Sequence, residues 1–348
     1  MELADCLSTV AAGQDLTEEE AYGAADLLAS GEVDAGLKGD FLTRLAQKGE
    51  ASAEVAGLAR RYRELARNPG LEQWQSEAID VCGTGGDKQH TFNISTTVTF
   101  VVAAAGIPVF KHGNRSITSK CGSSNLLEAL GVNIMGDDDL LRKSMEELGF
   151  CFMFAPAFHP AFKEIVPVRQ ALAAKGQRTV FNMLGPLINP AKPAYQLLGV
   201  FSESVVDLMA AAQDSLGLKS GLIAHCDLGD AGGMDEFSAA GINIARGFGE
   251  LRSIDARWSP EEMGISSGAL ADLQGGDVEE NLEILTRLLD GKANSALEDS
   301  VVANAAAAFY VAGRHASVRE GIAEARDLLL GGAVKAKIEQ TEVFYKQS

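Results

Sequence analysis

Apolar positions between residues 13 and 67 recur at helical spacing, with Ala21, Ala24, Leu27 and Leu28 on one face and Thr17 followed by Glu20 as a capping box. Further helices are predicted over 41–47 and 54–66, and Asn68-Pro69-Gly70 is a turn signal suited to a linker. From residue 77 the texture changes. Short apolar runs ending in Gly or Asp alternate with longer helical patterns, which predicts βαβ units around a mostly parallel sheet. Strands are expected at 78–81, 108–111, 151–154, 196–200 and 221–225, and helices at 96–105, 124–130 and, as one alanine-rich element, 301–330. The Pro-containing stretch 156–184 is expected to fold away from the sheet. The fold class is therefore α/β, with a small N-terminal helical domain over 1–70, joined by a helical segment near 160–184, and a large α/β domain over 75–348 whose mostly parallel central sheet is flanked by helices.

Composition narrows the function. The 348 residues are 46% hydrophobic, enough for a large core, and the formal net charge is −18. So acidic a surface repels nucleic acid and anionic lipid, so any phosphate ligand must be caught by a local basic site. The longest apolar run, 98–110, is interrupted by Gly106 and Pro108 and is too short to span a bilayer. Cys6, Cys82, Cys121, Cys151 and Cys226 are scattered singly, without C-x-x-C spacing, as in a reduced cytoplasmic protein. The first residues carry Glu2, Asp5 and Asp15 and no basic region, unlike a signal peptide.

Two turns concentrate chemistry. The first reads D-V-C-G-T-G-G-D-K-Q-H-T-F-N-I-S-T from Asp80 to Thr96. Gly83, Gly85 and Gly86 at a strand's carboxyl end let backbone N–H groups approach phosphate oxygens, although an ordinary tight βα turn has the same look. Asn93, Ser95 and Thr96 add polar groups at a helix start, where free N–H groups favour an anion; one such group alone would be an ordinary N-cap. The second turn reads K-H-G-N-R-S-I-T-S-K-C-G-S from Lys111 to Ser123, and Lys111, His112, Asn114, Arg115 and Lys120 gather cations at the end of the next strand. Both loops face the crevice at the strands' carboxyl ends. Neither a P-loop nor a dinucleotide fingerprint is present.

Asp235-Glu236 is an adjacent acidic pair on a glycine-bearing loop. It suits magnesium, which takes one or two carboxylates plus substrate phosphates and water, but it is also what solvated acid in an acidic chain looks like. His159, Arg169 and Arg178 lie in the Pro-containing stretch, and an arginine there suits a carboxylate ligand, though spacing alone leaves all three as surface residues.

Taken in order, G-T-G-G-D, N-I-S-T, K-H-G-N-R, E-A-L-G-V, F-A-P-x-x-H-P-A, R-T-V-F-N-M-L-G-P-L-x-N-P-A, D-E and A-A-A-A-F-Y-V-A-G make nearly the whole chain resemble the anthranilate phosphoribosyltransferases, of the nucleoside-phosphorylase-like class. The resemblance implies transfer of a phosphoribosyl group from 5-phosphoribosyl 1-pyrophosphate (PRPP) to anthranilate, giving N-(5-phosphoribosyl)anthranilate and pyrophosphate in tryptophan biosynthesis. It also implies Mg2+ as cofactor and a cytoplasmic homodimer joined through the helical domains. On the same basis Gly83, Gly86, Asp87, Thr91, Asn93, Ile94, Ser95, Thr96, Lys111, His112, Gly113, Asn114, Arg115, Ser116, Ser119 and Ser123 would hold the donor. Ser95, Asp235 and Glu236 would serve the metal. Gly83, Asn114 and Arg169 would hold the acceptor, with His112 and His159 lining its entry. No residue stands out as a general base, as expected where catalysis rests on metal and cation stabilisation of a leaving pyrophosphate and the acceptor is already a neutral nucleophile. Lys88 departs from the family, which has glycine there, and the Arg169–Arg178 and His225–Asp235 intervals are longer than usual. The alternatives are a related transferase or phosphorylase with another aromatic or heterocyclic acceptor, and an inactive sensor of a phosphorylated metabolite.

Overall fold

The computed structural model describes residues 1–115 and 120–347. The chain opens with four helices, α1 (Leu3–Ala11), α2 (Glu18–Ala29), α3 (Ala35–Lys48) and α4 (Ser52–Leu65). The capping box at α2 forms: Thr17 Oγ1 accepts the Glu20 N–H at 3.2 Å, and Glu20 Oε2 accepts the Thr17 N–H at 2.8 Å. Two of the helices touch backbone to side chain, because Gly57 on α4 leaves no Cβ to collide with the Glu18 carbonyl and Ala21 on α2. Leu28, Phe41, Leu42, Val55 and Leu58 fill the bundle interior, and the later helix Val166–Ala173 adds Val168 and Leu172 to it. Of the stretch 156–184 it is this helix that packs on the bundle, whereas Phe158 joins Phe110, Cys151 and Met153 against the sheet.

The sheet contains β1 (Ile79–Gly83), β2 (Val109–Gly113), β3 (Phe150–Phe154), β4 (Tyr195–Gly199), β5 (Ser220–Asp227), β6 (Gly233–Met234), β7 (Ile242–Gly249) and β8 (Asp255–Trp258). Its order is β3-β2-β1-β4-β5-β7-β8, with the two-residue β6 beside β5. The five strands β1 to β5 run parallel, and β6, β7 and β8 add antiparallel pairings. Because β1 and β4 pair in register from Ile79↔Tyr195 to Gly83↔Gly199, both end on glycine at the same level. That shared edge is where the crevice opens.

One face of the sheet packs on α5 (Ile94–Ala104) and the helix Ser295–Val311, whose alanines let it lie close. The opposite face joins the core that holds the helical bundle, through Cys82, Leu198 and Ile223. The alanine-rich stretch is not the single helix expected over 301–330. It breaks at Gly313, which adopts φ +76°, and restarts at Val318 with the Ser317 hydroxyl accepting the Glu320 N–H. No disulfide joins the five buried cysteines, and among the described residues no helix is long and apolar enough to cross a membrane.

Candidate active site

Where β1 ends, the chain turns through Gly85 and Gly86, both left-handed at φ +66° and +78°. Lys88 and His90 follow, also left-handed at +66° and +54°, conformations that side chains with a Cβ resist. Between them Gln89 clips this turn to the acidic loop, its amide donating to the Ala231 carbonyl at 2.8 Å and to that of Gly233 at 3.2 Å.

The acidic pair reaches the same turn from 150 residues away. A Cβ on Gly83 would collide with the Asp235 carboxylate, and one on Gly199 with the Asp235 backbone carbonyl, so the two strand-terminal glycines form a notch that seats this residue. Asp235 Oδ2 accepts the Gly85 N–H at 2.6 Å, and Glu236 Oε1 accepts the Ser95 N–H in the first turn of α5 at 3.2 Å. Burial and the neighbouring carboxylates Asp87 and Glu236 push the Asp235 carboxyl well above its usual range. Burial pushes Glu236 up to about 7, against the opposing pull of Lys111 and the Ser95 N–H.

Asn93 stands at the N-cap of α5 but makes no capping bond. Its amide donates to the Cys121 carbonyl at 3.1 Å and its oxygen accepts from Asn281 at 3.0 Å, tying the helix start to two other segments. The Thr96 hydroxyl is buried without a hydrogen-bond partner. Thr91 makes an isolated bridge with Gln274, and Gly113 packs against the Ser123 hydroxyl and Phe152, so a Cβ there would have to displace them.

The second strand runs two residues beyond the end expected at 111. Lys111 and His112 lie within β2 and are buried. Strand alternation sends the lysine under the sheet edge, where its ammonium donates to the Val81 carbonyl at 2.9 Å. Asn114 and Arg115 are exposed, and Arg115 pairs with Glu128 at 3.0 Å. Lys120 is exposed as well, while Ser116 and Ser119 lie outside the described residues.

Beside this crevice the stretch 156–184 builds a cage of rings. His112 and His159 meet Nε2 to Nε2 at 3.1 Å, and both are buried. The His159 ring stacks on Phe162 with centroids 5.4 Å apart, and Phe162 meets Tyr62 of α4 edge-on at 4.8 Å and Phe181 at 5.5 Å. The Arg169 guanidinium lies 4.9 Å from the Phe181 ring centre and 5.9 Å from that of Phe162. No acid comes within ion-pair distance of it among the described residues, and burial draws its pKa down. Arg178 packs 4.1 Å from the Phe201 ring centre and donates to the Gly86 carbonyl at 2.6 Å.

Burial holds His112 well below its usual pKa and brings His159 down to about 4, so both rings are neutral at pH 7. One neutral ring donates to the other across this Nε2–Nε2 contact, the donor being whichever ring carries its proton on Nε2. An unfolded histidine binds a proton below about pH 6.5 that folded His159 refuses until about 4, so the unfolded state holds more protons in that window and stability rises with pH across it. Denaturant unfolding is expected to show a loss of up to about 3 kcal/mol from this ring between pH 6.5 and 4. His159→Gln flattens that part of the profile; an unchanged slope would contradict the buried neutral pair.

Comparison with known proteins decides the family. A glycosyl transferase family a/b domain matches residues 75–335, and a glycosyl transferase family helical bundle domain matches residues 4–66. The chain is 39% identical to the anthranilate phosphoribosyltransferase of Desulfatibacillum aliphaticivorans over 99% of each protein. It is 40% identical to that of a Synechococcus strain over 96% of this chain and 94% of the other. The crystal structure of anthranilate phosphoribosyltransferase from Thermus thermophilus superposes with a TM-score of 0.89 at 39% identity, covering 98% of this chain and 99% of that one. The chain belongs to the anthranilate phosphoribosyltransferases. The enzyme of Saccharomyces cerevisiae, solved in complex with PRPP and Mg, shares the fold with a TM-score of 0.84 at 23% identity, covering 99% of this chain and 98% of that one.

Within this family fold, four residues of the site escaped the sequence reading: Gly199, Tyr62, Phe162 and Phe181. Gly199 lies inside the strand expected at 196–200 and pairs with Gly83 only once β1 and β4 are set side by side; the three rings carry no local motif. Lys88, the departure from the family's glycine, sits exposed and left-handed. The left-handed backbone costs a side-chain residue about 1–2 kcal/mol, partly offset by the extra entropy that glycine loses on folding. Lys88→Gly is therefore expected to raise unfolding stability by up to about 1 kcal/mol. A loss of stability in denaturant titration would mean that the lysine side chain makes a stabilising contact.

Proposed function

We propose that this anthranilate phosphoribosyltransferase family member binds PRPP with Mg2+ at the glycine turn and transfers its phosphoribosyl group to anthranilate held at Arg169, releasing pyrophosphate. The observation that carries the acceptor assignment is the Arg169 guanidinium, paired with no acid among the described residues and set over Phe162 and Phe181. A planar ring bearing a carboxylate satisfies both features at once, the rings by stacking and the cation by a bidentate pair.

The donor side follows from charge. Gly83, Gly86, Thr91, Asn93, Ile94, Ser95, Thr96 and Ser123 would hold the donor, where the glycine turn and the start of α5 offer the backbone N–H groups that suit phosphate. The carboxyl groups of Asp235 and Glu236 are raised by burial and by neighbouring carboxylates, Asp87 among them, a cluster short of positive charge. Among the described residues no set of three acid, histidine or cysteine ligands encloses a metal. That fits magnesium, which keeps waters and substrate phosphate oxygens in its shell. Asp235, Glu236 and Ser95 would hold it, and when bound it neutralises charge on the leaving pyrophosphate.

The remaining chemistry belongs to the chain. Arg169 and Asn114 orient the acceptor amine toward the sugar, replacing a bimolecular encounter by a fixed one. His112 and His159, neutral and hydrogen-bonded to each other, wall the acceptor's entry without presenting a charge that would trap its carboxylate there. The aromatic amine attacks as a neutral nucleophile, so no strong base is needed before bond formation. The reading includes a cytoplasmic homodimer and a place in tryptophan biosynthesis, consistent with the family.

The longer Arg169–Arg178 interval favours testing the acceptor separately. Titrating purified protein with anthranilate, adenine, uracil and nicotinate, each with PRPP and Mg2+, is expected to release pyrophosphate with anthranilate alone. Release with a heterocyclic base instead would transfer the assignment to a related phosphoribosyltransferase.

A further inference from the structure

Residues 90–93, which lead from the glycine turn into α5, run beside a second segment of chain. The Gly275 N–H donates to the His90 carbonyl at 2.9 Å, Thr91 bridges Gln274, and the Phe92 N–H donates to the Leu273 carbonyl at 2.8 Å. A Cβ on Gly275 would come within 2.9 Å of the Phe92 backbone, so only glycine lets the two segments lie this close.

The helix that follows this segment, Val278–Leu289, breaks the usual pattern of a core face. Its buried residues are Asn281, Leu285 and Leu288, so an asparagine stands where the helical spacing asks for a leucine. Asparagine weakens a helix interior and is costly to bury without partners. Asn281 is 1% exposed and has them: Oδ1 accepts the Gly276 N–H at 2.8 Å, and Nδ2 donates to Asn93 Oδ1 at 3.0 Å. Asn93 Nδ2 in turn donates to the Cys121 carbonyl at 3.1 Å. This relay has a direction. A backbone N–H at one end can only donate and a carbonyl at the other can only accept, so both amides turn their oxygen toward Gly276 and their nitrogen toward Cys121. Beyond Cys121, Gly122 is the N-cap of the helix Ser123–Ala129. The relay therefore ties the start of α5, with Ser95 and Thr96, to the start of the helix that carries Ser123.

We propose that Asn281 is a positioning residue for the donor site: by fixing which way the Asn93 amide points, it holds the starts of these two helices at the spacing that the phosphoribosyl donor requires. Asn281 acts through Asn93, not on the substrate. Order lost from the free protein has to be restored when the donor binds, so the cost falls on PRPP affinity and not on the reaction of the bound complex. Arg169 and the ring cage of the acceptor lie on other segments. The inference rests on the donor site proposed above.

Asn281→Asp tests it. The carboxylate keeps the shape and still accepts from Gly276 but cannot donate, so at one junction between Gly276 and Cys121 two acceptors must face each other. At pH 8 with magnesium, KM for PRPP and its dissociation constant by calorimetry are expected to rise about tenfold or more. Over the same series kcat at saturating PRPP and KM for anthranilate stay within about threefold. Asn281→Ala removes the donor without adding a charge, and it decides if the aspartate variant does not fold; both PRPP constants are expected to rise about fivefold or more. All assays run well below each variant's thermal midpoint. An asparagine that merely fills the core would lower that midpoint and leave both PRPP constants unchanged. That result, or equal rises in KM for both substrates, overturns the inference. If the unaltered protein binds no PRPP, the donor reading itself fails, and the role of Asn281 falls with it.

Discussion

Exchanging Asp235 for Asn and Glu236 for Gln together is expected to lower kcat/KM for transfer by about a thousandfold or more and to remove its dependence on magnesium. The amides keep the shape and the oxygens that accept the Gly85 and Ser95 N–H groups, so the acidic loop stays seated in the Gly83–Gly199 notch. What disappears is the pair of charges that burial and mutual repulsion hold in an unfavourable state. The thermal midpoint of the variant is therefore expected to equal or exceed that of the unaltered protein without metal. PRPP raises the midpoint of the unaltered protein further when magnesium is present, by ordinary linkage, and the variant loses that metal-dependent increment. A variant that retains its magnesium titration would place the metal elsewhere.

The second large effect concerns the acceptor. Arg169→Ala removes the one guanidinium of the ring cage, and a hydrogen-bonded charge pair of this kind is worth roughly 1.5–3 kcal/mol, or about 10- to 150-fold in affinity. KM for anthranilate is accordingly expected to rise by about that factor while KM for PRPP stays within about threefold. Arg169→Lys recovers only part, because an ammonium cannot form the planar two-bond pair. An acceptor analogue without a carboxylate should be used equally poorly by both proteins. Equal increases for donor and acceptor would make Arg169 a structural residue that supports Phe162 and Phe181 rather than a ligand.

Local chemistry explains which parts could be read from the sequence. The capping box at Thr17 and Glu20, the glycine turn after β1 and the parallel strands through β5 are written in neighbouring residues, and the structure has them. The single helix expected over 301–330 failed because alanine continuity outweighed two weaker stop signals, Gly313 and the Ser317 cap. The strands β7 and β8 gave no glycine-to-helix alternation, since they return antiparallel without a crossover.

Inside the site the limits have the same origin. His112 reads as a loop residue because the strand expected at 108–111 stops short of it, whereas β2 runs on to Gly113 and its pleat buries Lys111 and His112 alike. The ring cage joins Tyr62 from α4 to Phe162 and Phe181, a hundred residues or more later, so only packing assembles it. Arg169, which spacing alone left indistinguishable from a surface arginine, acquires its meaning from that cage.

The most direct test of the central claim is a coupled measurement on the unaltered protein. Anthranilate fluorescence and released pyrophosphate are followed together after PRPP is added, with and without magnesium. Disappearance of anthranilate matched one for one by pyrophosphate, and only with magnesium present, is the predicted result. Pyrophosphate release that leaves anthranilate untouched, or no release at all from protein that binds PRPP, would contradict it.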